Sequence, residues 1–181
     1  NCSYQESCLP SSWKQADVVA IPKQKPVKLI NNHLRPISLT PIISKLAEDV
    51  VNNYLKPAVM ESVDDKQFGT IPNSSTTYPL ISMLHTWLKD ADENGSTTRV
   101  VLFDFRKAFD LIDHPILSQK LSRYNLPNNI TSWILNFLAD RQQRAKLGND
   151  CHSEWGSAPA GAPQSTELGP RLLIIMINES K

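Results

Sequence analysis

The run Val100, Val101, Leu102, Phe103, followed at once by Asp104, constrains this chain more than any other stretch. Unbroken apolar runs of this kind form central strands covered on both faces. A carboxylate closing such a strand meets a penalty of several kcal/mol if it is fully buried, charged and unpaired. Three arrangements relieve it. Asp104 emerges into solvent as a cap, it pairs with a local cation such as Arg106 or Lys107, or it holds a divalent cation together with carboxylates from elsewhere. The last would suit Mg2+, which takes hard oxygen ligands and substrate phosphates. A nucleophilic role, as in some phosphotransferases, calls for a second acid two residues on, and that position is Arg106.

Thirteen prolines break the rest of the chain into short elements. "VVAIP" (18–22) reads as a strand stopped by Pro22, and 23–34 as a polar, lysine-containing loop. Pro36 and Pro41 hold "RPISLTP" extended. Thr40 and Pro41 make an N-cap and N1 pair for a helix with Ile43, Leu46, Ala47, Val50, Val51, Tyr54 and Leu55 on one face, ended by Pro57. After a polar loop containing Gly69, a helix from about Tyr78 to Ala91 turns Leu80, Ile81, Leu84, Trp87 and Leu88 inward. "ENGS" is a turn, and the strand Arg99–Phe105 follows. Asp113 caps a helix with Pro115 in its first turn and Ile116, Leu117 and Leu121 on its apolar face. A further helix, about Ile130 to Asp140, buries Trp133, Ile134, Phe137 and Leu138. "RQQRAKLGNDCHSEW" reads as two short strands around the "GND" turn. The tail "LGPRLLIIMIN" is open between strand and buried helix by pattern alone.

Composition excludes several classes. The 181 residues carry a net charge of +1, so no global field marks nucleic acid or an acidic membrane as partner, and any basic site is local. Cys2, Cys8 and Cys151 are an odd set without metal-ligand spacing, which argues for reduced thiols inside a cell. "LLIIMI" is too short to cross a bilayer. The missing initial Met and the stop at "INESK" give the expectation that this is a piece of something longer.

"FDFRKAFDLIDHPIL" resembles the first catalytic motif of reverse transcriptases of the non-LTR (LINE-type) retrotransposon family. Other segments follow in the family's order. "LPSSWKQADVVAIPK" and "LRPISLTPIISKLAE" are similar to its fingers motifs, and "QFG" with "SSTT" to the next block. "ILNFLADRQQRAKLG" resembles the segment before the second palm motif, and "GAPQSTELGP" that motif. The resemblance covers about Leu9 to Ser180.

The resemblance implies an α+β right-hand polymerase fold: fingers and palm, an antiparallel palm sheet backed by helices, and truncation before the family's Asp-Asp hairpin. Residues 1–96 would be fingers, 97–115 palm with the first catalytic motif, 116–150 fingers, and 151–181 palm with the second motif and a following helix. It implies that Asp104 is catalytic and, with the main-chain carbonyl of Phe105, binds Mg2+, or Mn2+ in its place. Phe109 matches the steric-gate aromatic that selects deoxynucleotides; read without the motif it is a core aromatic. Lys23 and Arg35 match residues gripping the incoming triphosphate, Arg through a bidentate fork and Lys as a point charge. Read blind, the lysines are a solvated loop. Gln164 and the turn from Gly161 match the element beneath the nucleotide and template base, where small residues permit close backbone approach. Arg141, Arg144 and Lys146 are candidates for template or primer phosphate, or else an exposed helix end. Asp113 is an N-cap, Asp110 faces solvent, and His114 is structural or at the surface.

The implied partners are an RNA template, a DNA primer and dNTPs, with no membrane, and the implied location is intracellular, in nucleus or cytoplasm. Four positions depart from the family: Arg106 for a small Ser, Ser165 for Gly, and Glu167 and Arg171 where apolar residues are usual. They point to a decayed or divergent copy. No Asp-Asp pair follows Asn178, and "VDD" at 63–65 precedes the first palm motif. The expected function is thus a fragment of an RNA-directed DNA polymerase, inactive as this piece. The alternative is a non-catalytic nucleic-acid-binding or interaction remnant.

Overall fold

The computed structural model describes residues 2–95, 97–148 and 151–178. Ser96 of the "ENGS" turn, and Asn149 and Asp150 of the "GND" turn, lie outside them. The chain divides into two units, Asn1–Ser62 with Lys107–Lys181, and Val63–Arg106.

The first unit is α+β. Helix α1 (Cys2–Gln5) and a 3-10 turn (Ser11–Lys14) lead into β1 (Gln15–Pro22); α2 (Ile30–His33) leads into β2 (Leu34–Leu39), and α3 runs Ile42–Met60. The second unit contributes α4 (Thr77–Asn94). Back in the first unit come α5 (His114–Leu121), α6 (Asn128–Leu138), β3 (Arg141–Ala145), β4 (Gly156–Ala158) and α7 (Gly169–Ile177). The strands form one sheet in the order β2-β1-β3-β4. β1 runs antiparallel to β2, with Ile21 opposite Arg35 and Asp17 opposite Leu39. β1 is parallel to β3, and β3 antiparallel to β4. The described sheet is therefore mixed, where the resemblance implied an antiparallel one, and it is built from other strands than the 99–105 run.

Helices α3, α5, α6 and α7 enclose the core. α6 supplies Trp133, Ile134, Phe137 and Leu138; α5 supplies Leu117 and Leu121; α7 supplies Leu172 and Ile175. Trp133 stacks between Tyr4 and Phe137, at centroid distances of 5.8 and 5.7 Å, and its indole N–H donates to Ser3 Oγ at 2.9 Å. Asp113 caps α5, its Oδ1 accepting the Ile116 N–H at 2.8 Å. The tail that pattern left open is helix α7, whose C-terminal carbonyls Met176 O and Asn178 O accept from Lys120 Nζ at 2.6 and 3.2 Å.

α3 corrects three expectations. It passes through Pro57 to Met60, since proline removes one donor while the Pro57 carbonyl still accepts from Glu61 at 3.2 Å. Its buried stripe is Ser44, Ala47, Glu48, Val51, Leu55 and Val59, whereas Ile43, Leu46, Val50 and Tyr54 are exposed. Thr40 caps nothing: the N-cap is Pro41, and among the described residues Thr40 Oγ1 is buried without a partner.

The second unit overturns the central-strand expectation. Residues 97–105 pair with no strand among the described residues, and Leu102 and Phe103 are 85% and 90% exposed. The inward residues expected of α4 fare alike: Leu80, Ile81, Leu84 and Leu88 are exposed, and only Trp87 among them is half-buried. One helix without a strand partner cannot close a core of its own. Gly95, at φ 57°, ends α4 in the left-handed conformation.

Trp133 is the largest fully buried side chain. Trp133→Ala should lower unfolding stability by about 3–5 kcal/mol, read as a drop in denaturant midpoint; an unchanged midpoint contradicts the core assignment.

Candidate nucleotide and template site

Two turns far apart in sequence meet in the first unit. Gly161, at φ 84°, lies so close to the 109–112 turn that a β-carbon there would stand 2.8 Å from both Phe109 O and Asp110 O. Any side chain would force the two turns apart, so glycine is required for the approach and for the φ. Backbone bonds then join them: Gly161 N–H donates to Ile112 O at 2.9 Å, and Ala162 N–H to Phe109 O at 2.8 Å. His114 Nε2 donates to Gly161 O at 2.8 Å, which gives the expected structural residue a definite task.

Gln164 follows. Its carbonyl accepts from Ser38 N–H of β2 at 3.3 Å, and its Nε2 donates to Asp110 Oδ1 at 3.2 Å. Asp110 was expected to face solvent; it is half-buried and orients Gln164. A cleft of about 310 Å³ opens here, lined by Ser38, Asp110, Arg141, Gly161 and Gln164 among others. Ser165 adopts φ 73° at the position where the family usually has glycine. The left-handed conformation explains that preference, and serine holds it at a cost of about 1–2 kcal/mol.

Beneath the turn lies a buried carboxylate. Glu48 of α3 is fully buried, and its Oε2 accepts the N–H groups of Glu167 at 3.0 Å and Leu168 at 3.5 Å. Burial pushes its carboxyl up to about 7, against the Leu168 and Glu167 hydrogen bonds and the Arg141 charge, which pull it down. Arg141 is itself buried. Its Nη1 donates to Phe137 O at 2.9 Å and its guanidinium lies 4.7 Å from the Phe137 ring centroid; burial draws its pKa down to about 10, with Glu48 opposing.

The other expected site residues are placed as follows. Lys23 and Arg35 are exposed at one end of the β1–β2 hairpin, where Ile21 faces Arg35 and Lys23 N–H donates to His33 O at 2.8 Å. Arg35 alternates to the face of β2 opposite Pro36 and Ser38, which line the cleft. The half-buried Phe109 ring lies beside Gly169, whose β-carbon would come within 3.7 Å of it. Arg141 is a correction, because as a buried β3 residue it is neither an exposed helix end nor free to reach a phosphate. Arg144 is committed too: its Nε donates to Asp17 Oδ1 at 2.7 Å and its guanidinium lies 4.5 Å from the Trp155 ring. That hydrogen bond, foremost, holds the Asp17 carboxyl below its usual range. Lys146 is half-buried just past β3, bridged to His152.

Asp104 and Phe105 lie in the second unit, both exposed. Among the described residues no three His, Cys, Asp or Glu side chains converge to hold a metal. Mg2+ demands near-octahedral oxygen ligation, and one carboxylate with one carbonyl does not satisfy a pair of such ions. The residues present do not fit a two-metal centre.

Residues 21–180 match the family model described as reverse transcriptase (RNA-dependent DNA polymerase), and the chain belongs to that family. It is 25% identical over 175 residues to the Retrovirus-related Pol polyprotein from type-1 retrotransposable element R2 of Popillia japonica, covering 94% of this chain and 24% of that protein. It is 27% identical over 172 residues to the RNA-directed DNA polymerase from mobile element jockey of Drosophila melanogaster, covering 94% and 18%. To the probable RNA-directed DNA polymerase from transposon BS of the same species it is 29% identical over 165 residues, covering 90% and 18%. The chain thus spans about a quarter or less of the length of these relatives, and its place among non-LTR retrotransposon reverse transcriptases stands. No helix among the described residues is long and apolar enough to cross a membrane.

Two predictions follow from this geometry. Ser165→Gly should raise stability by about 1 kcal/mol in urea unfolding, and Gly161→Ala should lower it by more; the reverse order contradicts the docked turn. The Glu48 carboxyl sits above its ordinary 4.5 in the folded chain, so its contribution is fully present below about 4.5 and is lost as pH rises through about 7. Glu48→Gln should flatten that slope and gain on the order of 2–3 kcal/mol at about pH 8; an unchanged slope contradicts a buried carboxylate.

Proposed function

We propose that this chain is the fingers and first part of the palm of a non-LTR retrotransposon RNA-directed DNA polymerase. Residues 1–96 and 116–150 are the fingers, and 97–115 and 151–181 the palm. The observation that carries the reading is the docking of the Gly161–Gln164 turn on the Phe109–Ile112 turn. The two segments resembling the family's palm motifs, fifty residues apart, line one cleft. Gln164 and Gly161 lie beneath nucleotide and template, Phe109 is the steric gate, and Lys23 and Arg35 meet the triphosphate. In the full-length enzyme Asp104 and Phe105 belong to the Mg2+ or Mn2+ site, with acidic groups that these 181 residues do not contain. The substrates are an RNA template, a DNA primer and dNTPs, met in nucleus or cytoplasm.

A second reading, a nucleic-acid-binding remnant without catalysis, draws on the lone Asp104 carboxylate. Primer extension with Mg2+ and dNTPs separates the parts. The 181-residue chain should bind a primer–template with steep salt dependence and synthesise nothing; robust synthesis contradicts the need for further acids. In the full-length enzyme, Asp104→Asn should abolish extension and leave binding largely in place. Equal extension rates defeat the polymerase assignment, and a full-length protein inactive before mutation favours the remnant.

A further inference from the structure

A carboxylate on the buried face of α3 needs a reason. Ala47, Val51, Leu55 and Val59 make that face apolar, and an apolar residue at 48 would continue the stripe. Burying a charge costs several kcal/mol unless it is well bonded. Glu48 Oε2 takes the N–H groups of Glu167 and Leu168, which stand at the start of α7. The Leu168 N–H is among the donors that the helix cannot satisfy from within, and Glu167 lies just before it. The N-cap residue of α7 is Leu168, whose side chain offers no acceptor. Glu48 supplies an acceptor for the backbone entering α7 from another helix.

The same turn carries Gln164. Thr166 Oγ1 donates to Pro163 O at 2.8 Å and accepts the Gly169 N–H at 3.2 Å, so residues 163–169 form one braced segment. The leading end of the turn is fastened to Phe109 and Ile112 through Ala162 and Gly161. The trailing end rests on Glu48.

We propose that Glu48 is a positioning residue: its buried carboxylate clamps the backbone at Glu167 and Leu168 and so sets where Gln164 stands in the cleft. That Gln164 meets nucleic acid rests on the function proposed above; the clamp itself does not. A glutamine at 48 keeps a carbonyl oxygen for the two N–H groups, alanine keeps none, and aspartate keeps the charge but falls short by one methylene.

Residue-resolved amide exchange on the whole 181-residue chain tests the clamp, with primer–template affinity as a second readout. In Glu48→Ala the Glu167 and Leu168 amides should exchange roughly tenfold faster, while the amides of α6 keep their protection. Glu48→Gln should restore the slow exchange, whereas Glu48→Leu, which fills the space but offers no acceptor, should not. If Glu48→Ala does not fold, Glu48→Asp should show the same local opening. Unchanged exchange at 167 and 168 in the folded variants, or acceleration spread equally over α6, overturns the clamp. Primer–template binding should weaken severalfold in Glu48→Ala and recover in Glu48→Gln; local opening with no effect on measurable binding overturns the link to Gln164. Local opening in a chain that binds no primer–template even as wild type supports the clamp and sinks the proposed function instead.

Discussion

The absence of a side chain at residue 161 is the constraint on which the candidate site depends. Two carbonyl oxygens occupy the space of its missing β-carbon. That closeness lets Gly161 and Ala162 bond to Ile112 and Phe109, and it brings Gln164 within reach of Asp110. The cleft is what remains between this pair of turns and the sheet. Its walls are neutral except for Asp110 and Arg141, and the Arg141 guanidinium is drawn inward over Phe137. Lys23 and Arg35 are exposed at the hairpin end, with Arg35 on the face of β2 away from the cleft.

Local signals were read well where they are self-contained. Asp113 before His-Pro announces a cap, and the cap bond is there. The spacing of Ile130, Trp133, Ile134, Phe137 and Leu138 fixes one face of α6, and that face is the core. α3 misled because it is apolar on two sides, so periodicity alone could not choose between the Ile43–Leu46–Val50 stripe and the Ala47–Val51–Leu55 stripe. Choosing the second would have placed Glu48 inward and flagged it. Asp110 was missed for a related reason: its partner is fifty-four residues away, and no local pattern carries that distance.

The Val100–Phe103 run shows the limit most clearly. Its composition is that of a covered strand, but composition supplies no neighbour. A strand exists only through the ladder it joins, and none of the four strands of the described sheet offers one. The family resemblance pointed to the same segments that the structure joins around the cleft, and it also pointed to acids that this sequence does not contain. The docked turns lie within Asn1–Ser62 and Lys107–Lys181, and Asp104 belongs to Val63–Arg106.

The docked turn as a nucleic-acid surface is tested most directly by photocrosslinking. A primer–template carrying a photoreactive base at the templating position is bound to the chain at low salt, irradiated, and its adducts mapped by mass spectrometry. Adducts are expected on the peptide holding residues 161–168. Adducts confined to α5 and α6, or none from a bound complex, contradict the turn as the place where template is held.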